Sequence, residues 1–482
     1  MRQFTRRQFA KSLVLTSSAA VIPKVQAKKK DKRPNILFFF PDQHRFDFLG
    51  TNPRLPIKTP HLEALANQGV LFRHAICPSP LCAPSRACLA SGQHYDRAGV
   101  ANNKFDYPLT KPTFYQMLGA SGYHVAGCGK FDLHKASHSW GIEGKHLLPE
   151  WGFSDGIDNA GKWDAINSYR KAGRAVDPYM FYLQENDLVK IHITDFAKRH
   201  SKNATFPTPL PEKAYCDNWV AAQGLQLMQN FPENNPWFLQ VNFTGPHSPW
   251  DITQRMDKIC RKRTFPQPNH CKQFTANEHN AIRQNYAAMI ENIDRWLGVF
   301  IYILKKRSDF DNTIIVFSSD HGEMLGDHNL WGKVVPFHPS VSVPLIIAGP
   351  NVRQNHVSNA LVNTMDLAAT FLDFAGIAAT DEMDSRSLLP LLSGSINTHR
   401  KFVYSGLDEW RMVFDGRYKL IRGFSGKKIR GEKVIRYRGN EVPPMMFDLQ
   451  SDPLENENLA GINPAELNRL DRMLQTVHGL DN

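Results

Sequence analysis

The sequence contains no apolar run long enough to span a membrane, and it has few cysteines for its length. No stretch approaches the roughly 18 consecutive apolar residues that a membrane-spanning helix needs. Seven cysteines in 482 residues are too few for a disulfide-stabilised scaffold. If a bridge forms, we expect it between Cys260 and Cys271, which flank a basic loop, although sequence alone does not fix the pairing. These absences predict a globular protein without an integral membrane segment.

The sequence also lacks internal repeats, long low-complexity linkers and the common nucleic-acid-binding patterns. Zinc-finger spacing, an RNA-binding signature and a basic zipper are all missing. A formal net charge of +12 would by itself suit nucleic acid. Without a matching motif, we expect no nucleic-acid partner.

Residues 1–27 resemble a twin-arginine export signal. The pair Arg6-Arg7 precedes a modest apolar run over residues 12–22, and Val25-Gln26-Ala27 offers small residues for cleavage. This segment carries five basic residues and no acidic ones, so its removal lowers the formal net charge from +12 to +7. We therefore expect a periplasmic or secreted protein whose remaining basic surplus favours acidic partners such as a sulfated polymer.

Five short runs of strand-forming residues predict the main sheet: residues 35–40, 123–128, 237–243, 313–317 and 343–348. Four of them end at polar groups suited to catalysis, and the last does not. Continuous apolar strands are buried on both faces, which indicates a mostly parallel sheet between helix layers. Helical patterns lie between the runs, including one with apolar residues at helical spacing over residues 286–300. In such an α/β sandwich, ligands bind beyond the carboxyl ends of the strands.

The pattern changes near residue 398, where short strand-like runs alternate with turns. These runs cover residues 402–405, 411–414, 418–422, 433–438 and 445–448, and a helical pattern follows over residues 464–477. We therefore expect an α/β domain over residues 28–397, with a large mixed, mostly parallel sheet. A smaller subdomain over residues 398–482 would hold an antiparallel sheet and a helix.

The stretch from Leu81 to Gly92 is the most informative in the chain. Its apolar run predicts a short helix that opens at Pro84 or Ser85. Cys82 would then face free backbone N–H groups at the positive end of a helix, which is a favourable position for an oxyanion. A lone Cys-x-Pro sequence is more often a buried cysteine beside a helix cap.

Taken whole, this stretch resembles the signature of type I sulfatases in the alkaline phosphatase superfamily. The signature is C-x-P-S-R followed by L-x-(S/T)-G, and every defined position matches. The resemblance implies that Cys82 is oxidised to formylglycine, whose hydrate attacks the sulfur of a sulfate ester. The implied partner is a formylglycine-generating enzyme or an anaerobic sulfatase-maturing enzyme. The likeness extends from residue 34 to near the C-terminus, where Met446-Phe447-Asp448-Leu449 resembles the closing segment of the family.

A metal site is implied at the ends of two predicted strands. Alone, an aspartate in such a place usually caps a helix or forms a turn. The resemblance implies that Asp42, Gln43, Asp320 and His321 hold one divalent ion together with residue 82. Oxygen ligands favour Ca²⁺, whereas the His321 imidazole would suit Mn²⁺ or Zn²⁺ better. Many sulfatases have Asp-Asp where this chain has Asp42-Gln43, a variant that resembles the choline-sulfatase and phosphonate-hydrolase branches.

Three cationic side chains and one histidine complete the implied catalytic set. Residues 320–333 closely match the second family signature, and the resemblance implies that Lys333 contacts the sulfate and the leaving oxygen. Lys130, in Gly129-Lys130, would help to hold the aldehyde hydrate and the sulfate, and Arg86 would contact the hydrate or its loop. His247 would donate a proton to the leaving alcohol. By composition alone, Lys333 would be an ordinary surface lysine and His247 a turn residue.

One position departs from the family pattern. The family often has histidine two residues after the lysine of the Gly-Lys element, whereas this chain has Asp132 there and His134 two residues later. The base that collapses the sulfated hydrate is therefore open between Asp132 and His134.

The substrate is predicted less sharply. Loops over residues 140–200 and 251–274 and the basic segment 427–438, with Trp410 and Arg411 nearby, would form the binding surface. The basic segment is as readily a solvated hairpin, because edge strands are often basic. Export and basicity favour a sulfated polysaccharide or its oligosaccharides. Two alternatives are a phosphonate monoester or phosphodiester hydrolase of the same superfamily and a non-catalytic protein that binds sulfated glycans.

Overall fold

The predicted apolar runs form the centre of an eight-stranded sheet in a computed structural model, which describes residues 33–426 and 437–477. The predicted export signal and most of the basic segment 427–438 lie outside the described residues. The large sheet has the strand order β4-β3-β5-β1-β6-β7-β2-β8, and a separate four-stranded sheet has the order β12-β11-β10-β9. The predicted α/β architecture with a second, antiparallel sheet is therefore confirmed.

The strands are β1 (Asn35–Phe39), β2 (Gly69–Ile76), β3 (His124–Gly129), β4 (Asp155–Asp158), β5 (Trp237–Asn242), β6 (Thr313–Phe317), β7 (Leu345–Ala348), β8 (His356–Asn363), β9 (Val403–Leu407), β10 (Trp410–Phe414), β11 (Tyr418–Arg422) and β12 (Met445–Asp448).

The α-helices are α1 (Pro60–Asn67), α2 (Cys82–Ser91), α3 (Tyr95–Ala98), α4 (Phe114–Ala120), α5 (Lys162–Ala172), α6 (Pro178–Glu185), α7 (Val189–Phe196), α8 (Cys216–Gln229), α9 (Gln254–Cys260), α10 (Ala276–Lys306), α11 (His338–Val341), α12 (Asp366–Phe374), α13 (Leu389–Ser393) and α14 (Pro464–Gln475).

One strand of the large sheet runs against the others. β7 pairs antiparallel with β6 on one side and with β2 on the other, whereas the remaining pairs are parallel. The carboxyl end of β7 therefore lies at the opposite edge from those of β1 and β6. This reversal explains why the apolar run at residues 343–348 ends without a polar group suited to catalysis.

The sequence prediction missed strand β2, which has an important position. Its centre contains Arg73 and His74 beside a break in register, so the apolar pattern is interrupted. β2 runs parallel to β8 and antiparallel to β7, so its carboxyl end meets the edge that β1 and β6 share. The chain leaves β2 at Ile76 and enters α2 at Cys82, two or three residues before the predicted helix start at Pro84 or Ser85.

Both faces of the large sheet are buried. In β1, Ile36 and Phe38 pack into one core, and Leu37 and Phe39 pack into the core on the other face. This arrangement explains the continuous apolar run, because neither face of the strand meets solvent. The long helix α10 begins at a Thr275 capping box and contributes Leu297 and Phe300 to the second core, as its helical spacing predicts.

The small C-terminal sheet packs on the core of the large sheet. Val403, Met412 and Leu420 belong to the same buried cluster as the Ile36 face of β1, and Leu470 and Leu474 of α14 also join it. The predicted strand at residues 433–438 lies largely outside the described residues. The domain boundary at residue 398 stays a prediction.

Two residues that we expected near the substrate are instead structural. Trp410 is buried and donates its indole N–H to the carbonyl of Val334 at 3.3 Å. Arg411 is also buried and forms an ion pair with Asp96 of α3. Because both side chains are used inside the protein, the expectation that they contact the glycan is wrong.

The cysteines form no disulfide within the described residues, which include all seven of them. Cys260 and Cys271 are both free; the Sγ of Cys260 lies near the carbonyl of Asp257 in its own helix, and that of Cys271 lies near the carbonyl of Gln273. The candidate bridge between Cys260 and Cys271 is therefore not formed in this structure. Each helix within residues 33–426 and 437–477 is too short or too polar to cross a lipid bilayer.

The Arg411–Asp96 pair links the small sheet to the large domain, and its loss should destabilise the protein. Replacing Arg411 by Met leaves a buried carboxylate without its partner, so we expect unfolding to become easier by about 3–5 kcal/mol, measured from the urea midpoint. Arg255→Met is the control, since both members of the Arg255–Glu212 pair are exposed. Equal midpoints for the two variants would contradict a linking role for Arg411.

Candidate active site

The carboxyl ends of β1, β2 and β6 bring a thiol, two carboxylates and an imidazole together. Asp42 follows β1, Cys82 opens α2 after β2, and Asp320 and His321 follow β6. One potential ligand atom from each of these four buried side chains lies within 4.8 Å of the others. The Cys82 Sγ lies 3.3 Å from His321 Nε2 and 3.8 Å from Asp42 Oδ1. We call these four residues the acidic cluster.

Arg86 holds the two carboxylates of the acidic cluster in place. Its Nε donates to Asp320 Oδ2 at 3.0 Å, and its Nη2 lies 3.5 Å from Asp42 Oδ2. Its Nη1 donates to the backbone carbonyl of Lys130. Arg86 is 3% exposed and lies one turn after Cys82 on α2, so its guanidinium contacts the segments that follow β1, β3 and β6. The guanidinium therefore joins strand ends that are distant in sequence.

Two lysines add positive charge on the same side. The Lys130 Nζ forms an ion pair with Asp42. The Lys333 Nζ donates to Cys82 Sγ at 3.2 Å, lies 3.9 Å from Asp42 Oδ1 and donates to Gln43 Oε1 at 2.6 Å. The two lysines therefore join Asp42, Gln43 and Cys82 in one polar centre, which is suited to binding anionic oxygens.

These cations control the protonation of the acidic cluster. Burial by itself raises the pKa of the Asp42 carboxyl, but Lys130 and Lys333 hold that pKa well below its usual value. Burial and Asp42 raise the pKa of the Cys82 thiol, whereas the two lysines and His321 lower it, and the net result is a lowered pKa. The site therefore favours negative charge on both groups.

A cavity of about 170 Å³ gives access to the acidic cluster. His247 lines it, and its Nδ1 lies 2.5 Å from the carbonyl oxygen of Ser248. Burial and the nearby charge of Lys333 lower the pKa of His247 well below the usual value. The imidazole is therefore neutral near pH 7 in the protein without ligand. The residues that line the cavity are Cys82, Asn103, Lys130, Lys135, Gly161, Lys162, Trp163, Asp164, Thr244, His247 and Lys333.

His134 lies apart from this cavity. Its Nε2 lies 2.6 Å from Asp158 Oδ2, its Nδ1 lies 3.4 Å from Ser139 Oγ, and the ring is buried. Because both ring nitrogens have partners elsewhere, the position of His134 gives no support to its predicted role as a base.

Asp132, the other candidate base, is held between two lysines. Its Oδ2 lies 3.1 Å from Lys130 Nζ and 3.2 Å from Lys135 Nζ. Burial raises its pKa, but these lysines outweigh that effect and lower the pKa to about 2. A carboxylate with so low a pKa is a weak base. Neither Asp132 nor His134 is therefore assigned as the base that accepts the proton from the sulfated hydrate.

The acidic cluster has the chemistry of a divalent-metal site. Calcium binds oxygen ligands at about 2.3–2.6 Å, so ligands on opposite sides of one ion lie roughly 5 Å apart. The spread of the cluster, 4.8 Å, matches that span. Asp42, Asp320 and the amide oxygen of Gln43 suit a hard cation, and the imidazole of His321 also accepts Mn²⁺ or Zn²⁺. The residues therefore fit one divalent ion.

Sequence reasoning missed several residues that line the cavity. Lys135, Trp163 and Asp164 carry no motif, and only their place in or beside the predicted substrate loop at residues 140–200 pointed toward the site. Trp163 and Asp164 reach the cavity because α5 begins at Lys162, directly after a glycine N-cap, whereas Lys135 lies in the loop that follows β3.

Comparisons with known proteins agree with this geometry. The family model for sulfatases matches residues 34–377, and the model for the C-terminal region of N-sulphoglucosamine sulphohydrolase matches residues 326–477. The first match covers more than half of the chain. The chain therefore belongs to the sulfatase family and is a sulfuric ester hydrolase.

Two curated relatives and one solved structure illustrate the likeness. An arylsulfatase from Clostridium perfringens is 26% identical, with 89% of this chain and 90% of the relative covered. An N-acetylglucosamine-6-O-sulfatase from Bacteroides thetaiotaomicron is 25% identical, with 90% and 84% covered. The phosphonate monoester hydrolase of Agrobacterium radiobacter has a TM-score of 0.74 at 21% identity, with 93% and 95% covered. At that identity the structure supports the alkaline phosphatase-like fold alone.

The role of Arg86 is testable by replacing it with lysine. An ammonium cannot reproduce the several directed N–H bonds of the guanidinium, so Asp42 and Asp320 should lose their fixed spacing. We expect Arg86→Lys to weaken divalent-metal binding by about 10- to 100-fold in calorimetric titration. Arg283→Lys is the control, because Arg283 is similarly buried but contacts Asp327 outside the cluster. Unchanged metal affinity in Arg86→Lys would refute this role.

Proposed function

We propose that this protein hydrolyses sulfate esters of a sulfated polysaccharide or its oligosaccharides. Residue 82 would act after conversion of Cys82 to formylglycine, with one divalent ion bound nearby. The observation that carries the proposal is the meeting of Cys82 with two carboxylates and two lysines at one cavity. A sulfate ester is a tetrahedral anion, and its cleavage needs a nucleophile, fixed cations and a proton source.

Asp42, Gln43, Asp320 and His321 would hold the divalent ion, with residue 82 beside them. Ca²⁺ is our first choice because most of these donors are oxygen atoms, and Mn²⁺ and Zn²⁺ are the alternatives. When bound, such an ion acts as a Lewis acid that makes a nearby hydroxyl more acidic and stabilises negative charge. The formylglycine hydrate supplies that nucleophilic hydroxyl.

The cations of the chain would orient the sulfate. Lys130 and Lys333 both line the cavity and lie close to Asp42, so each is placed to donate to sulfate oxygens. Arg86 would keep the carboxylates in position without reaching the substrate, since it is buried behind the cluster. Fixed donors of this kind stabilise the charge that develops as the S–O bond breaks.

His247 or Lys333 would protonate the leaving alcohol. His247 is neutral in the protein without ligand, because burial and Lys333 lower its pKa. A bound sulfate ester places negative charge between the two side chains, which offsets the lysine and raises the pKa of the imidazole. Substrate binding would thus prepare His247 to carry the proton that the alkoxide needs.

The cavity wall favours a sugar as the group that carries the sulfate. Trp163 is partly exposed at the start of α5, and its ring stacks on His200 with centroids 5.7 Å apart. Asp164 pairs with Lys135 at 2.5 Å, so a carboxylate and an ammonium line the same cavity as Trp163. A rigid aromatic face next to polar groups fits the apolar face and the hydroxyls of a pyranose. The similarity to an N-acetylglucosamine-6-O-sulfatase also supports a sulfated sugar.

We also propose that the protein is exported to the periplasm or beyond by the twin-arginine pathway. This part rests on residues 1–27 of the sequence. Because that pathway carries folded proteins, a formylglycine-generating or anaerobic maturing enzyme would convert Cys82 before export.

The proposed function is testable with protein co-expressed with a maturing enzyme and supplied with defined sulfated oligosaccharides. We expect wild-type protein to release inorganic sulfate and to show an intact mass lower by the change from CH₂SH to CHO. Cys82→Ala should remove turnover, with a loss of at least about 10³-fold, because the nucleophile is gone. Full activity in Cys82→Ala, or faster cleavage of an aryl phosphonate than of any sulfate ester by the wild type, would contradict the proposal.

The sugar platform predicts a difference between large and small substrates. Trp163→Ala should lower kcat/KM for a sulfated oligosaccharide on the order of tenfold or more, because the stacking surface is lost. Turnover of a small aryl sulfate that only reaches the lysines should change far less. Trp296→Ala is a matched control, since Trp296 is also partly buried but lies on α10 and hydrogen-bonds to Asn218. Equal losses on both substrates would argue against a sugar platform.

A further inference from the structure

Glu323 lies beside the acidic cluster, and no step above uses it. We propose that Glu323 is a positioning residue that fixes the orientation of the Gln43 side-chain amide, so that its oxygen faces the metal site. This inference rests on the proposed metal-dependent function.

Glu323 is fully buried and accepts hydrogen bonds from three donors. Its Oε1 accepts from the backbone N–H of Leu325 at 3.1 Å and from that of Gly332, next to Lys333. Its Oε2 accepts from Gln43 Nε2. The carboxylate therefore ties the loop that carries Lys333 to the end of β1.

The partners of Gln43 allow a single orientation of its amide. The Glu323 carboxylate only accepts hydrogen bonds, and the Lys333 ammonium only donates them. The amide must therefore turn its NH₂ toward Glu323 and its oxygen toward Lys333, as the 2.6 Å contact between Lys333 Nζ and Gln43 Oε1 shows. Because the same Nζ lies 3.2 Å from Cys82 Sγ, this oxygen lies on the cluster side.

A glutamine at this position needs such a partner, whereas a carboxylate would not. Either oxygen of an aspartate could face a cation, but a flipped glutamine would present its NH₂ to Lys333 and to the ion. The main chain of Gln43 is already fixed, since its N–H donates to Asp320 Oδ1 at 2.9 Å and its carbonyl accepts from the Tyr286 hydroxyl at 2.6 Å. Only the orientation of the Gln43 side-chain amide can still vary, and Glu323 fixes it.

An isosteric exchange of glutamate for glutamine tests the inference. In Glu323→Gln, the new amide must keep its oxygen toward the N–H groups of Leu325 and Gly332, so its NH₂ meets the NH₂ of Gln43. We expect Gln43 to flip and divalent-metal affinity, measured by calorimetry, to fall about 10- to 100-fold. The double variant Gln43→Glu, Glu323→Gln restores every donor–acceptor pair and should recover affinity to within about tenfold of wild type or exceed it.

The control and the outcomes separate this inference from the proposed function. Glu455→Gln alters another buried glutamate, which pairs with Lys419 and accepts from the N–H of His338, and it should lower thermal stability without changing metal affinity. Wild-type protein that binds no divalent ion would refute the proposed function itself. Normal affinity in Glu323→Gln would overturn the inference. If that variant does not fold, the double variant decides: recovered affinity supports the inference, and failure to fold or to bind overturns it.

Discussion

This site depends on two carboxylates that are buried close together despite their mutual repulsion. Asp42 and Asp320 lie within one cluster, and Arg86 contacts both. Burial of such charges is unfavourable unless cations compensate it. Lys130 and Lys333 supply more positive charge on the cavity side. The two lysines therefore stabilise the buried carboxylates and also attract a sulfate anion to the cavity.

The sheet topology brings the groups of this cluster together. The carboxyl ends of β1, β2 and β6 lie at one edge of the large sheet. Along the chain, about 40 residues separate Asp42 from Cys82, and about 240 separate Cys82 from Asp320. The antiparallel strand β7 lies between β6 and β2, and its carboxyl end lies at the opposite edge of the sheet. Helix α2 then places the Cys82 thiol and the Arg86 guanidinium one turn apart, which links the position of residue 82 to that of the carboxylates. The architecture thus fixes geometry that no single segment contains.

Much of this arrangement could be predicted from sequence, because it depends on local patterns. The continuous apolar run at β1 and the motif around Cys82 are both readable from neighbouring residues. The remainder depends on tertiary contacts. β2 was missed because Arg73 interrupts its pattern, and the position of His134 follows from its pairing with Asp158 across a loop. The hydrogen bond between Gln43 and Glu323 joins residues 280 positions apart, and no local rule predicts it.

The central claim is that the acidic cluster binds one divalent ion beside residue 82. Anomalous diffraction from crystals of the converted protein grown with Ca²⁺, and in parallel with Mn²⁺, tests it most directly. We expect one strong peak between Asp42, Asp320 and His321, at about 2.3–2.6 Å from the carboxylate oxygens for Ca²⁺. Crystals that contain either ion but show no peak within the cluster would contradict the account.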